Sequence, residues 1–298
     1  MWLTARRLHQ ALAGRVLTRS DFRVPRYATT NLTGRLVLEA VSRGKHLLIR
    51  TGDGVTVHTH LRMDGSWRVR PARERAGNSH RIRLILANAE WQAVGYQLGV
   101  VEVLPTASED KVVGYLGPDL LGPDWDPAEA VRRLRADPDR QIGDALLDQR
   151  NLAGIGNVYK SEVLYLRGVQ PWQPVGAVPE LDALVSLAHR LLDANKNRIG
   201  HITTGLPQRG AEHWVYGRGG RPCRRCGTVI SRADQGPDPE ARVTFWCPSC
   251  QPGPRRRVTG RPLTGRALTQ TCLVAAPGSH QASGTTTRRA AGTRSRRR

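Results

Sequence analysis

The chain of 298 residues is long enough for more than one domain, and its 46 Lys and Arg against 25 Asp and Glu leave a net charge of +21. Such an excess points to a polyanionic partner, nucleic acid before anionic membrane. No apolar run approaches the roughly 18–20 residues that cross a bilayer, and the N-terminus lacks the apolar core and cleavage site of a signal peptide, so no membrane partner and a cytoplasmic location are expected.

The first segment, MWLTARRLHQAL, places Trp2, Ala5, Leu8, Ala11 and Leu12 on one helical face, yet no Ser, Thr, Asp or Asn precedes it as a cap. From Arg15 to about Pro105 the segments GRLVLEAV, HLLIRT, GVTVHTHL, RIRLILA and LGVVEVL read as strands, β-branched-rich and separated by Gly, Asp and Asn turns. At Asp126 the character changes: DPAEAVRRL carries a capping Asp, Pro127 at the first helical position and Glu129 three residues after the cap. Helical patterns continue through IGDALLDQ, NVYKSEVLYL and PELDALVSLAHRLLDANKN, so the spacing predicts four helices between Pro127 and Asn197. A polar, glycine-rich stretch follows, then a cysteine-bearing module to Gln251. Beyond it lie eleven arginines, no acidic residue and few large apolar side chains, a composition that predicts disorder.

Cys223-x2-Cys226, twenty residues, then Cys247-x2-Cys250 is the spacing of a tetrahedral Zn²⁺ site with a β-hairpin between its halves. Two disulfides or redox pairs are disfavoured in a cytosolic chain without a thioredoxin-like context. Four sulfur ligands leave no position for water, so one structural zinc ion is expected; Cys272, in the tail, has no partner. Gly154, Gly156 and Asn157 stand between two helical patterns. Glycines before a helix let its amides approach a phosphate, but a tight interhelical turn gives the same pattern. His58 and His60 share a face of one strand; without an evident third ligand they read as polar strand positions rather than a metal pair.

DQRNLAGIGNVYKSE, then VYGRGGRPCRRCG and ARVTFWCPSCQ, together resemble the formamidopyrimidine-DNA glycosylase and endonuclease VIII family of base-excision repair enzymes over residues 1 to about 251. The resemblance implies a multidomain α+β fold. Its parts are an N-terminal β-sandwich with a helix (1–120), a helix-two-turn-helix DNA-binding domain (121–205), a four-cysteine zinc finger (206–251) and the basic tail (252–298). It also implies damaged DNA as the partner of a monomer, and a bifunctional glycosylase and abasic-site lyase acting on oxidised bases. Residue by residue, Lys45 matches the lysine that contacts the phosphate beside the lesion and assists elimination. Met63 matches the side chain that fills the gap left by the everted nucleotide. Asn157 matches the phosphate-binding asparagine, and Arg242 the hairpin arginine that grips the phosphate and promotes the second elimination. No phenylalanine occurs in residues 100–120, where formamidopyrimidine glycosylases carry part of their wedge; this tilts the likeness toward endonuclease VIII and oxidised pyrimidines.

The family's nucleophile is the α-amine of a proline after the initiator methionine, followed by a catalytic glutamate; a pKa of about 7.7–8.0 leaves such an amine partly neutral where an ordinary lysine is not. Neither residue occurs here. The expectation is a start placed about six residues late, about 9 Å of helix at ~1.5 Å per residue. The alternatives are a non-catalytic damaged-DNA-binding protein, or catalysis through another amine such as Met1 or Lys45.

Overall fold

The structure, a computed structural model, describes residues 1–74, 76–239 and 241–253. The expectations for the tail beyond 253, Cys272 included, lie outside the described residues. Helix α1 (Trp2–Leu12) buries Ala5, Leu8, Ala11 and Leu12, the face that the spacing marks, and has no side-chain N-cap. That face packs on two four-stranded antiparallel sheets. One has the order β1 (Arg19–Phe22), β6 (Ile82–Ala87), β7 (Trp91–Tyr96), β5 (Ser66–Pro71); the other runs β2 (Val37–Arg43), β3 (His46–Thr51), β4 (Val55–His60), β8 (Val100–Pro105). Leu8 and Leu12 join Leu47, Ile49, Val57, Leu84 and Leu86 in one core drawn from the helix and both sheets. Each fully buried leucine there stabilises the fold by about 1.5–3 kcal/mol.

Three strands escape the periodicity. RSDF is four residues with one buried side chain, SWRVRP has none, and WQAVGY carries a glycine and a buried glutamine; pairing with neighbours makes them strands. Strand β3 is buried on both faces, because Leu47 and Ile49 enter the sandwich core while Leu48 faces Val113, Leu116 and Ala153. This second cluster, with the short helix α2 (Asp110–Val113), joins the sheet to the helical region.

The four expected helices are α3 (Pro127–Arg135), α4 (Ile142–Leu147), α5 (Asn157–Leu166) and α6 (Leu181–Asn195). The Asp126 side chain accepts from Ala128 N at 2.9 Å and Glu129 N at 3.1 Å, the expected cap. Glu129 does not close the box; it pairs instead with Arg132 and Arg133 at 2.6 Å each. Helix α5 runs through the middle, burying Lys160, Ser161 and Glu162 as completely as Val163 and Leu164. Three buried polar side chains in sequence require partners on every side. Glu162 finds them in the segment that leads to the cysteines: Oε1 accepts from Val215 N (2.9 Å) and Tyr216 N (2.8 Å), and Oε2 from Trp214 N (2.8 Å) and the Thr203 hydroxyl. The hairpin expected between the cysteine pairs is β9 (Ser231–Gln235) with β10 (Arg242–Trp246). Beneath it Tyr165, Val215, Cys223, Ile230 and Cys247 form a core of only five buried residues, small enough to need a staple.

Candidate nucleic-acid interface

The four cysteine Sγ atoms lie within 4.8 Å of one another. Cys226 is 3.5 Å from both Cys247 and Cys250, and Cys223 is 3.9 Å from Cys250. These separations are far beyond a disulfide bond of about 2.05 Å. They match the edge of a tetrahedron with metal–sulfur bonds of about 2.3 Å, so the donor set fits a closed four-thiolate site.

Lys45 occupies the turn between β2 and β3. Gly44, at φ +56, makes that turn, and a Cβ there would stand 3.1 Å from the Ala153 Cβ, so the close approach to the 153–156 loop needs glycine. The Gly44 N–H donates to Asp119 Oδ2 at 2.7 Å, and the Leu121 N–H to Asp119 Oδ1 at 3.1 Å. Asp119 thus holds the Lys45 turn against the helical region; burial raises its pKa while these two bonds oppose the rise. Asp119 gives no signal in the sequence because its partners are backbone amides, that of Gly44 lying 75 residues away.

The Lys45 ammonium lies over Gly156, 3.4 Å from where a Cβ would be, an ordinary van der Waals distance. Burial and then the charge of Arg242 push its pKa down to about 8. Asn157 follows at the start of α5. Its Nδ2 donates to Val243 O at 2.8 Å, leaving a second amide hydrogen free to bond elsewhere, and its buried Oδ1 has no partner. Arg242 is exposed at the beginning of β10 and, among the described residues, makes only a 3.3 Å bond to the neighbouring Ala241 carbonyl. Lys45, Asn157 and Arg242, widely separated in sequence, therefore converge around one place.

Helix and hairpin are joined below that place. Lys160 Nζ donates to Thr244 Oγ1 at 2.5 Å, Thr244 donates to Gln235 Oε1 at 3.0 Å, and Gln235 Nε2 reaches Pro171 O at 2.9 Å and Gln141 Oε1 at 3.1 Å. Burial lowers the Lys160 pKa to about 8, with Asp144 opposing. Met63 stands apart at the β4–β5 turn, 88% exposed, which makes a role as a core filler untenable.

A cleft of about 520 Å³ opens beside Lys45, lined also by Met1, Asp119, Gly154, Tyr159 and His201. The Met1 α-amine belongs to its wall; burial holds its pKa below the ordinary value, against Asp119 and with Lys45. His58 and His60 are not isolated polar positions. His46 lies directly across from His60, and its ring stacks on His58 at 5.0 Å. The ring nitrogens of His46 and His58 are spent on hydrogen bonds, and among the described residues only the cysteines gather three or more close metal donors.

Among the described residues no helix is long and apolar enough to cross a membrane. Residues 2–95 match the formamidopyrimidine-DNA glycosylase N-terminal domain, and residues 116–195 match the formamidopyrimidine-DNA glycosylase H2TH domain. The chain is 60% identical over 265 residues to a probable endonuclease 8 2 of Streptomyces coelicolor, covering 88% of this chain and 95% of that protein. It is 49% identical over 248 residues to the DNA-(apurinic or apyrimidinic site) lyase Nei2 of Mycolicibacterium smegmatis, covering 83% and 95%. Among solved structures it is similar to the Lactococcus lactis Fpg (MutM) in complex with DNA containing N7-benzyl-Fapy-dG, with TM-score 0.70, 25% identity and coverage of 85% of this chain and 98% of that one. With both domain matches and these relatives, the chain belongs to the formamidopyrimidine-DNA glycosylase and endonuclease VIII family, on the endonuclease VIII side.

Proposed function

We propose that this protein is a base-excision repair glycosylase that removes oxidised bases, pyrimidines foremost, and cleaves the resulting abasic site by β,δ-elimination. The observation that carries the reading is the convergence of Lys45, Asn157 and Arg242, drawn from a sheet turn, a helix N-terminus and a hairpin. Two cations and an amide donor on separate elements suit a bent phosphodiester backbone better than a small anion, because phosphate contacts fix the position of the strand and not its sequence. In this reading Lys45, the Asn157 amide and Arg242 hold the phosphates around the everted nucleotide. Met63 enters the stack in its place, offsetting the few kcal/mol lost on unstacking. Lys45 and Arg242 also stabilise the phosphate groups that leave in the two eliminations.

The cleft beside Lys45 receives the lesion sugar, and the start of α1 faces it. Attack by an amine at the sugar carbon bearing the base releases the base and leaves a covalent imine, the species from which both eliminations proceed. The four cysteines hold one structural Zn²⁺, for which their sulfur spacing argues. The working form is a monomer on DNA in the cytoplasm, with residues 1–120, 121–205 and 206–251 as sandwich, helical domain and finger.

Borohydride trapping on duplex DNA carrying thymine glycol or an abasic site tests the reading. The 298-residue chain and a version beginning Met-Pro-Glu and continuing into α1 are compared. A covalent adduct with the second version is expected. If neither version traps while both still bind the lesion, the protein is a damaged-DNA-binding protein and the enzymatic reading fails.

A further inference from the structure

A hydrogen-bond chain with a buried imidazole at its middle runs beside the Lys45 turn and reaches the surface at both ends. Glu102 on β8 pairs with His58 Nδ1 at 2.8 Å; His58 Nε2 pairs with His46 Nδ1 at 2.8 Å; His46 Nε2 pairs with the Tyr115 hydroxyl at 3.0 Å. His58 is 3% exposed, whereas Tyr115 at one end is 51% exposed and the Glu102 side chain at the other 36%, so a buried imidazole links two ends that reach solvent. Tyr115 immediately precedes Leu116, whose Cδ1 lies 3.7 Å from where a Gly44 Cβ would be, and its partner His46 directly follows Lys45 in the chain. None of the roles proposed above uses these residues.

The direction of every bond in this chain follows from its protonation. An ionised Glu102 can only accept, so His58 carries its proton on Nδ1 and accepts at Nε2. His46 must then donate from Nδ1 and accept at Nε2, and Tyr115 donates its hydroxyl proton inward. In that state the phenol offers solvent only lone pairs and repels an anion. One added proton reverses the outer end. If it resides on His58, His58 donates at both nitrogens and His46 turns to its other tautomer; if it resides on His46, both His46 nitrogens donate. Either way His46 Nε2–H now donates to the Tyr115 oxygen, and the hydroxyl hydrogen is released outward.

We infer that Tyr115, backed by His46, His58 and Glu102, is a phosphate seat for the DNA backbone that becomes a donor only when the chain takes up a proton, so that DNA binding and proton uptake are coupled. The inference rests on the proposal that DNA is the substrate. The groups facing the two imidazoles fit such a device. Glu102 from β8 accepts a hydrogen bond at the His58 end, whereas His58, His60, Arg62 and Lys45 oppose a proton on His46. Burial first, and then these cations and neighbouring rings, hold His46 and His60 down at about 4, so the free protein keeps both neutral near pH 7. A phosphate on Tyr115 supplies the negative charge that tips the balance.

The test is titration calorimetry of the full chain with a duplex containing a tetrahydrofuran abasic analogue. It is run at pH 6.5 and fixed salt, in buffers of different ionisation enthalpy. Lys45 remains charged at that pH. Uptake approaching one proton is expected, with affinity falling by about tenfold per pH unit as the proton is withdrawn. Tyr115→Phe keeps the ring but removes the seat; uptake should vanish and affinity drop by about tenfold, as for one hydrogen bond to a charged group. Glu102→Gln, which removes the carboxylate at the far end of the chain, should lower uptake without removing the phenol. Tight binding with no uptake by the unaltered protein, or equal uptake by Tyr115→Phe, overturns the coupling and leaves the DNA reading standing. No binding to the duplex overturns both.

Discussion

Replacing Glu162 by Gln changes one atom of a fully buried side chain, and its consequences can be worked from four hydrogen bonds. The glutamine oxygen can take the place of Oε1 and keep the Val215 and Tyr216 amides at 2.9 and 2.8 Å. The new NH2 group then faces the Trp214 amide and the Thr203 hydroxyl. Thr203 can rotate to accept, because its own hydroxyl has a second acceptor in Glu212 O at 3.2 Å. The Trp214 N–H cannot; it meets another donor and is left without a partner. One orphaned amide, with the loss of a strong acceptor, costs about 2–4 kcal/mol. For a chain of this size that lowers the melting temperature by about 5–12 °C. Scanning calorimetry in saturating zinc measures it, and amide exchange should show the loss concentrated at 214–216. A variant that melts within about 1 °C of the parent would refute the accounting, since a destabilisation of that size cannot leave the midpoint in place.

Lys45→Gln should weaken DNA binding at neutral pH. In the parent the Lys45 contribution is present below about 8 and lost as pH rises through that value, because the ammonium alone attracts phosphate; filter binding across pH should show this limb in the parent and not in the variant. The sign for stability is opposite: the depressed pKa means that burying the ammonium costs most below about 8, and the cost is relieved toward the ordinary 10.5. Met63→Ala should leave the melting temperature unchanged, since the side chain is 88% exposed, while slowing borohydride trapping on duplex DNA by tenfold or so, given the few kcal/mol at stake in unstacking. Removing metal with a chelator, or Cys247→Ser, should unfold residues 215–250 and abolish duplex binding; elemental analysis should find one zinc per chain before treatment. Full DNA affinity after demonstrated metal loss would sink the structural role.

Elements with a strong period or a cap were legible from sequence: α1, the Asp126-capped α3, the α6 stripe, and β3 and β6 with their apolar runs. RSDF and SWRVRP were not, because their strand character comes from pairing with β6 and β7 and not from their own pattern. The cysteine cluster could be read from spacing, since adjacent thiols come in pairs. The convergence of Lys45, Asn157 and Arg242 came only through family likeness; nothing local to RGKH or ARVTF says that they meet. Asp119 and Glu162 lay beyond reach for a further reason. Each serves backbone amides, and a backbone amide leaves no trace in a sequence. The His46–His58–Glu102 chain needed cross-strand register, which two histidines two residues apart do not disclose.

The bond from Lys160 to Thr244 has a consequence for the hairpin as a mechanical part. Thr244 is the fully buried position on β10, flanked by exposed Val243 and half-buried Phe245. A slip of β10 by one residue would bring Val243 or Phe245 opposite the ammonium, neither with a side-chain oxygen, and would turn Arg242 to the other face of the ribbon. The buried charge would then have no acceptor, a loss of several kcal/mol. Lys160 thus works as a gauge that accepts one setting of the hairpin. The cysteine cluster clamps the ribbon at its base, while the helix checks the angle at which its arginine is presented.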